Sequence, residues 1–252
     1  EETIDKTTGE AGAFFEGYAQ RFDDLYDTAR NSGLVGWINR HLRASMALRF
    51  EKSFAALHPL KHKSLLDIGC GSGRYVLPAV EMQAGRIVGI DLSPRMLELT
   101  RRRLAAAGEH DTPVELICGD FQTLDLPRRF DAAIVMGVMD YIARPAAFLS
   151  RLVSAVNGRA VLSFPAAESV LRWQRQVRYA MRRCPLYFYG RDRLQGLLEA
   201  AFNSFAQKGF SVIGGQNDGN QRRGHGCLCS AARHFSASRK YLTAQLISLR
   251  AK

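Results

Sequence analysis

The glycine-rich stretch 65–75, with the sequence LLDIGCGSGRY, is the feature that most constrains the fold of this chain. Its apolar start has the length and bulk of a buried parallel strand, and the glycines at alternate positions let backbone approach a ligand without interference from a Cβ atom. A helix is predicted to start near Arg74. A strand, a turn and a helix in this order present free N–H groups at the carboxyl edge of a doubly wound sheet. The stretch therefore predicts a ligand site at that edge.

The spacing of the glycines indicates which ligand to expect. A dinucleotide fingerprint needs glycine at its first, third and sixth positions, and the sixth would be Arg74. With glycines at the first, third and fifth positions and Asp67 two residues ahead, the stretch resembles the first motif of class I S-adenosylmethionine-dependent methyltransferases. The alternative is a glycine loop that binds nothing, but three further signals follow at suitable distances.

The first of these signals is RIVGID at 86–91, a β-branched run that ends in a carboxylate. Asp91 lies about 20 residues beyond the glycines, the spacing expected for an acid that binds ribose. Ser93 as N-cap and Pro94 at the first helical position predict that a helix follows. Asp91 could instead only cap this helix, and the two roles can coexist.

The second signal is VELICGDF at 114–121, a third strand followed by an acid and an aromatic residue. In the methyltransferases that the chain resembles, an acid at this point holds the adenine amino group, and Asp120 matches it. Phe121 could lie against the adenine ring. Alternatively, this is a polar strand end with Phe121 in the core.

The third signal is FDAAIVMGVMDYI at 130–142, a fourth strand that resembles the family motif whose end faces the transferred methyl group. The resemblance spans roughly residues 64 to 165, and four motifs in order are more specific than any one of them. It implies an α/β, Rossmann-like, seven-stranded mixed sheet of order 3-2-1-4-5-7-6, with helices on both faces. The predicted segments are an N-terminal helical lid at 1–58, a methyltransferase domain at 59–235 with a basic substrate-side insertion at 166–193, and a C-terminal helix at 236–252.

The same resemblance assigns the cofactor contacts. Asp67 would anchor the methionine amino group directly or through water, and the glycines would lie under the carboxypropyl chain and the ribose. Asp91 would take the ribose hydroxyls, and the backbone at Met136 and Gly137 would approach the methionyl ammonium. The residues predicted to bind S-adenosylmethionine are Asp67, Gly69, Cys70, Gly71, Gly73, Asp91, Leu92, Asp120, Phe121, Met136, Gly137 and Tyr18.

An aromatic stripe precedes these motifs, at positions 14, 15, 18, 22 and 26. Such helical spacing is most often part of a core. In related methyltransferases an N-terminal helical segment covers the cofactor cleft, and this resemblance makes Tyr18 and Tyr26 candidates for contact with cofactor or substrate. A second helix is predicted at 36–57.

The acceptor side carries a weaker signal. Enzymes of this family that methylate nucleobase amines often have Asn or Asp followed by Pro-Pro and an aromatic residue after the fourth strand, and positions 136–141 here are MGVMDY. This departure argues against methylation of the amino group of adenine or cytosine. Methylation of oxygen, the expected alternative, needs a base near the hydroxyl. The candidates for that base are His225, Asp140, Tyr141 and Tyr189.

The last strands and the end of the chain are predicted from local pattern. Residues 158–164 predict the fifth strand, and 210–214 with 226–232 predict an antiparallel pair. The stretch 236–250 predicts an added helix.

The formal net charge of +11 is concentrated outside the cofactor motifs. Arg40, Arg43 and Arg49 lie on the second helix, and arginines at 172, 175, 178 and 182 lie along one predicted helical face. These arginines form either a solvated face or a surface for an anionic partner: a phosphorylated or carboxylated substrate, a membrane surface or nucleic acid.

Composition limits the remaining possibilities. A chain of 252 residues with 46% hydrophobic content predicts one core with additions. Without an apolar run of ~20 residues or a signal pattern, a cytoplasmic protein is expected. The odd number of cysteines argues against a disulfide framework, and Cys227 and Cys229 lack the second pair that a metal site would need.

Three functions follow from these observations. The first is an S-adenosylmethionine-dependent methyltransferase for a small acceptor that is anionic or membrane-associated. The second is an RNA or protein methyltransferase that holds its partner on the basic face. The third is a cofactor-binding scaffold without turnover, against which the intact Asp67, Asp91 and Asp120 argue. The oligomeric state is not predicted.

Overall fold

The computed structural model describes residues 47–126, 128–165, 186–188, 196–197, 210–214 and 244–251. Strands and helices alternate through most of these ranges, as the sequence motifs predict. The elements are helix α1 at 47–57, β1 Ser64–Ile68, α2 Val76–Glu81, β2 Arg86–Asp91, α3 Pro94–Ala107, β3 Val114–Cys118, β4 Phe130–Val135, a 3-10 helix Met139–Tyr141, α4 Pro145–Ala155, β5 Val156–Pro165, β6 Phe210–Gly214 and β7 Ala244–Ala251.

The described strands form one sheet in the order β3-β2-β1-β4-β5-β7-β6. The five strands from β3 to β5 pair in parallel. Strand β7 pairs antiparallel with both β5 and β6. The predicted α/β class is confirmed, and the strand order agrees with the one that the resemblance implies. Because β1, β2 and β4 are parallel neighbours, their carboxyl ends meet at one edge of the sheet.

The seventh strand is not where the sequence predicts it. The predicted C-terminal helix at 236–250 is wrong, because Ala244–Ala251 forms β7. The predicted strand at 226–232 lies outside the described residues. A short apolar run such as LISL at 246–249 fits helical and extended periodicity alike, and here it pairs in extended form with β5. The sheet therefore continues beyond residue 235, the predicted end of the methyltransferase domain.

Strand β1 is buried on both faces, which explains its continuous apolar run. Leu66 and Ile68 belong to a core cluster with residues of α4, such as Phe148. Leu65 belongs to a second cluster, with residues of α1 and α2 such as Leu57. Since side chains alternate along a strand, Asp67 lies on the same face as Leu65.

Helix α3 starts as predicted. Ser93 Oγ accepts a hydrogen bond from Met96 N at 3.2 Å, and Pro94 is the first helical residue. The helix ends at Gly108, whose φ of +91° lies in the left-handed region that glycine adopts without strain.

Helix α1 corresponds to the last part of the second helix that the sequence predicts at 36–57. Arg159 of β5 donates hydrogen bonds to the carbonyl oxygens of Ala56, at 3.1 Å, and His58, at 2.7 Å. A cation at the carboxyl end of a helix is favourable, so this contact fixes α1 to the sheet. The aromatic stripe with Tyr18 and Tyr26 lies outside the described residues. Of the helices that the structure describes, none combines the length and apolar character needed to span a membrane.

Candidate cofactor site

The segment Gly69 to Gly73, called the glycine turn below, lies at the carboxyl ends of β1 and β2. The N–H groups of Gly69 and Cys70 both donate to the carbonyl oxygen of Ile90, at 2.8 and 3.1 Å. Gly69, Gly71 and Gly73 have φ values of +71°, +54° and +78°. Glycine reaches such angles readily, whereas other residues are strained there. The predicted turn is present, and its glycines are required by its backbone.

The carboxylate of Asp91 connects this turn to the start of α3. Asp91 Oδ2 accepts from Gly71 N at 2.8 Å, and Asp91 Oδ1 accepts from Ser93 N at 2.9 Å. Burial raises the pKa of Asp91, while the backbone N–H donors oppose that rise. Each carboxylate oxygen keeps a further lone pair that can accept from a ligand hydroxyl. Stabilising the start of α3 and binding a ligand are therefore compatible, as expected.

The side chain of Asp67 is the most unusual polar group in the described part of the chain. It is 1% exposed, and its Oδ2 atom has no hydrogen-bond partner among the described residues. Burial, and secondly the Asp91 carboxylate, raise the pKa of Asp67 to about 8. Buried polar atoms are normally paired, because an unpaired one is costly. The site therefore has a place for a donor, and a cationic amino group suits it.

Cys70 has a packing role in the ligand-free site. Burial, and then the carboxylates of Asp67 and Asp91, raise the pKa of its thiol. A thiol that keeps its proton is neither a nucleophile nor a metal ligand. Its sulfur fills the space beside Gly89, where a Cβ atom would lie 3.0 Å from it. No group of three or more His, Cys, Asp or Glu side chains suited to a metal was found where the chain is described.

Asp120 lies in a tight turn after β3. Gly119 N donates to the carbonyl oxygen of Asp91 at 3.0 Å, which holds this turn against the end of β2. Asp120 Oδ1 accepts from Gln122 N at 2.9 Å, and the side chain is half-buried. Asp120 thus lies at the carboxyl edge of the sheet, as predicted, in the turn that contacts the end of β2 at Asp91.

Phe121 belongs to the core. Its side chain is 3% exposed, and its ring centroid lies 5.2 Å from that of Phe148 in α4. The Arg151 guanidinium also lies over this ring, 5.4 Å from the centroid. This packing leaves little of the ring free for an adenine. Of the two interpretations from sequence, the core position is the one observed, and the stacking role is corrected.

The loop after β4 faces the same edge. Gly137 has a φ of +75°, and its N–H donates to Ser163 Oγ of β5 at 2.9 Å. Met136 is half-buried, with its sulfur 3.9 Å from Ser53 Oγ of α1. The side chain of Val138 fills the space in which a Cβ atom at Gly69 would lie. The structure therefore brings Met136 and Gly137 next to the glycine turn.

Two of the four candidate bases are placed by the structure. Asp140, 5% exposed, and Tyr141, half-buried, form the 3-10 helix that follows this loop. Tyr187 N donates to the carbonyl oxygen of Asp140 at 2.8 Å, so the segment 186–188 lies against it. His225, Tyr189 and Tyr18 lie outside the described residues, as do the arginines at 40, 43, 172, 175, 178 and 182. Leu92 is half-buried beside Asp91.

Sequence reasoning missed several residues that shape the site. Phe50 and Phe54 of α1 pack on Tyr75, directly after the glycine turn, with ring centroids 5.6 and 5.8 Å from the tyrosine ring. Their spacing of four along a helix was the available signal. Ser163, 1% exposed in an apolar strand, gave a second signal as a hydroxyl that must find a partner. Thr100 of α3 gave a third, because it lies on the buried face of its helix.

Comparison with known proteins finds methyltransferases among the sequences similar to this chain. Residues 65–158 match the family described as "Methyltransferase domain". A ubiquinone biosynthesis O-methyltransferase from Rhodopseudomonas palustris is 28% identical over 146 residues, which cover 52% of this chain and 56% of the relative. A ribosomal protein L11 methyltransferase from Tolumonas auensis is 37% identical over 124 residues, covering 49% of this chain and 39% of the relative. The chain thus spans about half the length, or less, of these curated relatives.

Solved structures share the fold. The magnesium protoporphyrin IX methyltransferase from Synechocystis PCC 6803, with bound SAH, has a TM-score of 0.69 at 15% identity and covers 98% of this chain and 100% of its own. An S-adenosylmethionine-dependent methyltransferase from Mesorhizobium loti has a TM-score of 0.59 at 19% identity, covering 82% of this chain and 97% of its own. The sheet order is that of a Rossmann-like α/β fold shared with these structures, and residues 65–158 match a methyltransferase domain. The chain is therefore similar to methyltransferases in the sequence of residues 65–158 and in its fold.

Proposed function

We propose that this chain transfers a methyl group from S-adenosylmethionine to an oxygen atom of a small acceptor that is anionic or membrane-associated. The observation that carries the cofactor part is the buried Asp67 Oδ2, which has no hydrogen-bond partner among the described residues and lies beside the glycine turn. The cofactor has an ammonium group that suits this atom and ribose hydroxyls that suit Asp91. A Cβ atom at Gly71 would meet no atom of the described residues within 4 Å, which is compatible with a ligand beside the turn.

The residues of the chain bind and orient, and the cofactor, when bound, supplies a methyl group on a sulfonium. Asp91 accepts from the ribose while it keeps its bond to Gly71 N. Asp67 neutralises the ammonium in a site from which water is excluded, where such an interaction is strong. Asp140 and Tyr141 lie in the 3-10 helix after the β4 loop, and this loop would face the reacting end of the cofactor if the chain binds it as the methyltransferases do. Either can take the proton of an acceptor hydroxyl if it comes within hydrogen-bonding distance.

Two observations support the acceptor class. The relative from Rhodopseudomonas palustris is named as an O-methyltransferase of ubiquinone biosynthesis, and the Synechocystis neighbour is named for a magnesium protoporphyrin. Both names describe small-molecule acceptors. The net charge of +11 favours an acceptor that is anionic or held at an anionic surface.

Calorimetric titration of the chain with S-adenosylhomocysteine, with NAD as the control ligand, tests the cofactor. Binding of S-adenosylhomocysteine alone is the expected result. Binding of neither ligand would contradict the proposal and favour a scaffold without turnover.

A methyl-transfer assay with S-adenosylmethionine labelled in its methyl group tests the acceptor. Phenolic quinone precursors and porphyrin carboxylates are compared with amines of similar size, and label is expected in the oxygen acceptors. Asp140→Asn and Tyr141→Phe identify the base, because loss of the base lowers turnover without weakening S-adenosylhomocysteine binding. Asp131→Asn is the matched control, since Asp131 accepts from Ser64 at the opposite edge of the sheet.

The comparison with the ribosomal protein L11 methyltransferase favours a second candidate, a protein methyltransferase. Ribosomal proteins are therefore included in the same assay. Label in a protein, with none in any small molecule, would replace the first proposal with this one.

A further inference from the structure

The glycine turn has one hydrogen bond within it, from Gly73 N to the Cys70 carbonyl oxygen at 3.0 Å, and needs further contacts to fix its shape. Glycine has more backbone freedom than any other residue, so a turn with three glycines in the left-handed region loses much entropy when it is ordered. A turn that binds a cofactor tightly needs contacts that order it beforehand. Asp91 supplies one such contact, at Gly71 N. Helix α3 supplies two more, through Thr100 and Arg103.

The hydroxyl of Thr100 is directed at the turn. Thr100 is 0% exposed, and its Oγ1 lies 2.8 Å from the carbonyl oxygen of Gly71 and 3.2 Å from that of Met96. The Met96 carbonyl is the acceptor four residues back that a helical threonine often uses. One hydroxyl has one proton to donate. The shorter distance shows that the turn is the preferred acceptor.

This hydrogen bond fixes the direction of a peptide group. In a trans peptide the C=O of one residue and the N–H of the next point to opposite sides. With the Gly71 carbonyl held towards α3, the Ser72 N–H points away from the helix. A flip of this peptide would put an acceptor where the turn now presents a donor.

The backbone groups on either side of the Gly71–Ser72 peptide are also fixed by hydrogen bonds. Gly71 N is bound by Asp91, and the Arg103 guanidinium donates to the Ser72 carbonyl and hydroxyl oxygens, both at 3.1 Å. The methyl group of Thr100 packs on the next glycine, because a Cβ atom at Gly73 would lie 2.7 Å from Thr100 Cγ2. Thr100 therefore contacts the turn through its hydroxyl and its methyl group.

We propose that Thr100 is a positioning residue for cofactor binding: its hydroxyl holds the Gly71–Ser72 peptide in the orientation that binds S-adenosylmethionine. This inference rests on the proposed function. It concerns a residue that touches the turn and acts on the cofactor through it.

The test compares two substitutions at Thr100 with a matched control. Thr100→Val keeps the shape and removes the hydroxyl, whereas Thr100→Ser keeps the hydroxyl and removes the methyl group. Thr112 is the control residue, because it is 7% exposed and its hydroxyl donates to the carbonyl of Ala84 at 2.9 Å. Thr112 and Ala84 precede β3 and β2, at the opposite edge of the sheet.

Affinity for S-adenosylhomocysteine is measured by calorimetry, and thermal unfolding is followed in parallel. Thr100→Val is expected to weaken binding about tenfold, equivalent to about 1.4 kcal/mol, while Thr100→Ser binds nearly as well as the wild type. Thr112→Val loses a comparable buried hydrogen bond, so its melting temperature falls similarly and its affinity does not. In the methyl-transfer assay Thr100→Val raises KM for S-adenosylmethionine more than it lowers kcat.

Unchanged affinity in Thr100→Val, or equal losses in Thr100→Val and Thr112→Val, would overturn the positioning role. A Thr100→Ser variant as weak as Thr100→Val would also overturn it, because the hydroxyl would then not be the active group. If the wild-type chain does not bind S-adenosylhomocysteine, the proposed function fails and the role of Thr100 fails with it. Wild-type binding together with an unaffected Thr100→Val refutes the role of Thr100 alone.

Discussion

Asp91 Oδ2 accepts a hydrogen bond from Gly71 N at 2.8 Å, joining the end of β2 to the middle of the glycine turn. The same carboxylate accepts from Ser93 N at 2.9 Å. One side chain therefore orders the loops that follow β1 and β2. Any ligand that binds to Asp91 meets a turn that is already held in place.

Asp91→Ala should abolish or greatly weaken S-adenosylhomocysteine binding. A hydrogen bond to a charged group contributes about 1.5–3 kcal/mol. The variant loses the hydrogen bonds that we propose between Asp91 and the ribose hydroxyls, and it also loses the hydrogen bond from Gly71 N that orders the turn. We expect affinity to fall at least ~100-fold by calorimetry, with circular dichroism showing a folded protein.

Asp131→Ala is the control for this change. Asp131 also accepts from a backbone N–H, that of Ser64 at 2.8 Å, but at the amino end of the sheet. The Asp131→Ala variant should bind S-adenosylhomocysteine with the affinity of the wild type. If Asp91→Ala binds as tightly as Asp131→Ala, Asp91 does not bind the ribose.

Asp67 should make ligand binding depend on pH. Its pKa is raised to about 8, so below that pH the ligand-free carboxyl group keeps its proton. The ammonium of S-adenosylhomocysteine prefers the carboxylate, and binding must then displace this proton. Affinity should rise as pH increases towards 8, by up to about tenfold per pH unit. Asp67→Asn should bind weakly at every pH, and a wild-type affinity that is flat between about pH 6 and about pH 8 would refute this coupling.

The Asp67 carboxyl group should also make stability depend on pH, and here the free energy of unfolding should fall as pH rises. The folded protein keeps the Asp67 proton at pH values where the unfolded chain has lost it, so the free energy of unfolding falls as pH rises from about 4 to about 8 and then levels. One pKa unit corresponds to about 1.4 kcal/mol, so the loss is on the order of a few kcal/mol. Urea unfolding of the ligand-free protein at about pH 5 and about pH 9 measures it.

Asp67→Asn should lose most of this dependence, because the amide does not titrate. Asp131→Asn should retain it. Although partial burial opposes the effect, hydrogen bonds from Ser64 lower the pKa of Asp131, so that carboxyl group titrates below this range. An Asp67→Asn protein with the wild-type dependence would show that another group is responsible.

Gly71→Ala should separate binding from stability. An added methyl group meets no atom of the described part of the chain within 4 Å, but a φ of +54° is unfavourable for alanine by roughly 1–2 kcal/mol. The methyl group would enter the open space that we assign to the cofactor, so S-adenosylhomocysteine affinity should fall.

Gly108→Ala is the matched variant, since Gly108 has a φ of +91° and open space around it at the end of α3. Gly108→Ala should lose at least as much thermal stability as Gly71→Ala, because the φ of 91° and ψ of −168° at Gly108 are essentially restricted to glycine. Only Gly71→Ala should lose affinity. Equal affinity in the two variants would place the ligand elsewhere.

Ser163→Ala should destabilise the protein by about 1–3 kcal/mol, because Gly137 N would lose its acceptor in the interior. Ser154→Ala on α4 is the control, since the hydrogen bond from its hydroxyl to the Ser150 carbonyl is exposed. That change should leave the urea midpoint nearly unchanged. If the urea midpoint of Ser163→Ala is also nearly unchanged, Gly137 N has found another hydrogen-bond acceptor.

The predictions that succeeded rest on local chemistry. The glycine turn needs residues that tolerate positive φ, and Ser93 with Pro94 starts a helix through contacts within a few residues. The spacing from the glycines to Asp91 is set by one strand–helix–strand unit. For this reason the sequence indicates both the turn and the acid that holds it.

The predictions that failed depend on distant partners. Phe121 follows a strand end, where a ring can face a ligand or the core, and Phe148 with Arg151 on α4 decide for the core. The contact between Thr100 and the Gly71 carbonyl was not predicted at all, because the two residues are 29 positions apart and only the fold brings them together. The apolar run at 246–249 satisfies helical periodicity, but pairing with β5 makes it a strand.

Strand β7 lies between β5 and β6, although β6 precedes it in the chain. A ribosome makes the chain from its amino end, so β6 emerges before the strand with which it pairs. The edge of β5 stays open until residues 244–251 have been made. An unpaired edge is a template for pairing with other chains. The nascent protein therefore passes through a stage that is prone to association, and loss of residues 244–251 would return the finished sheet to that stage.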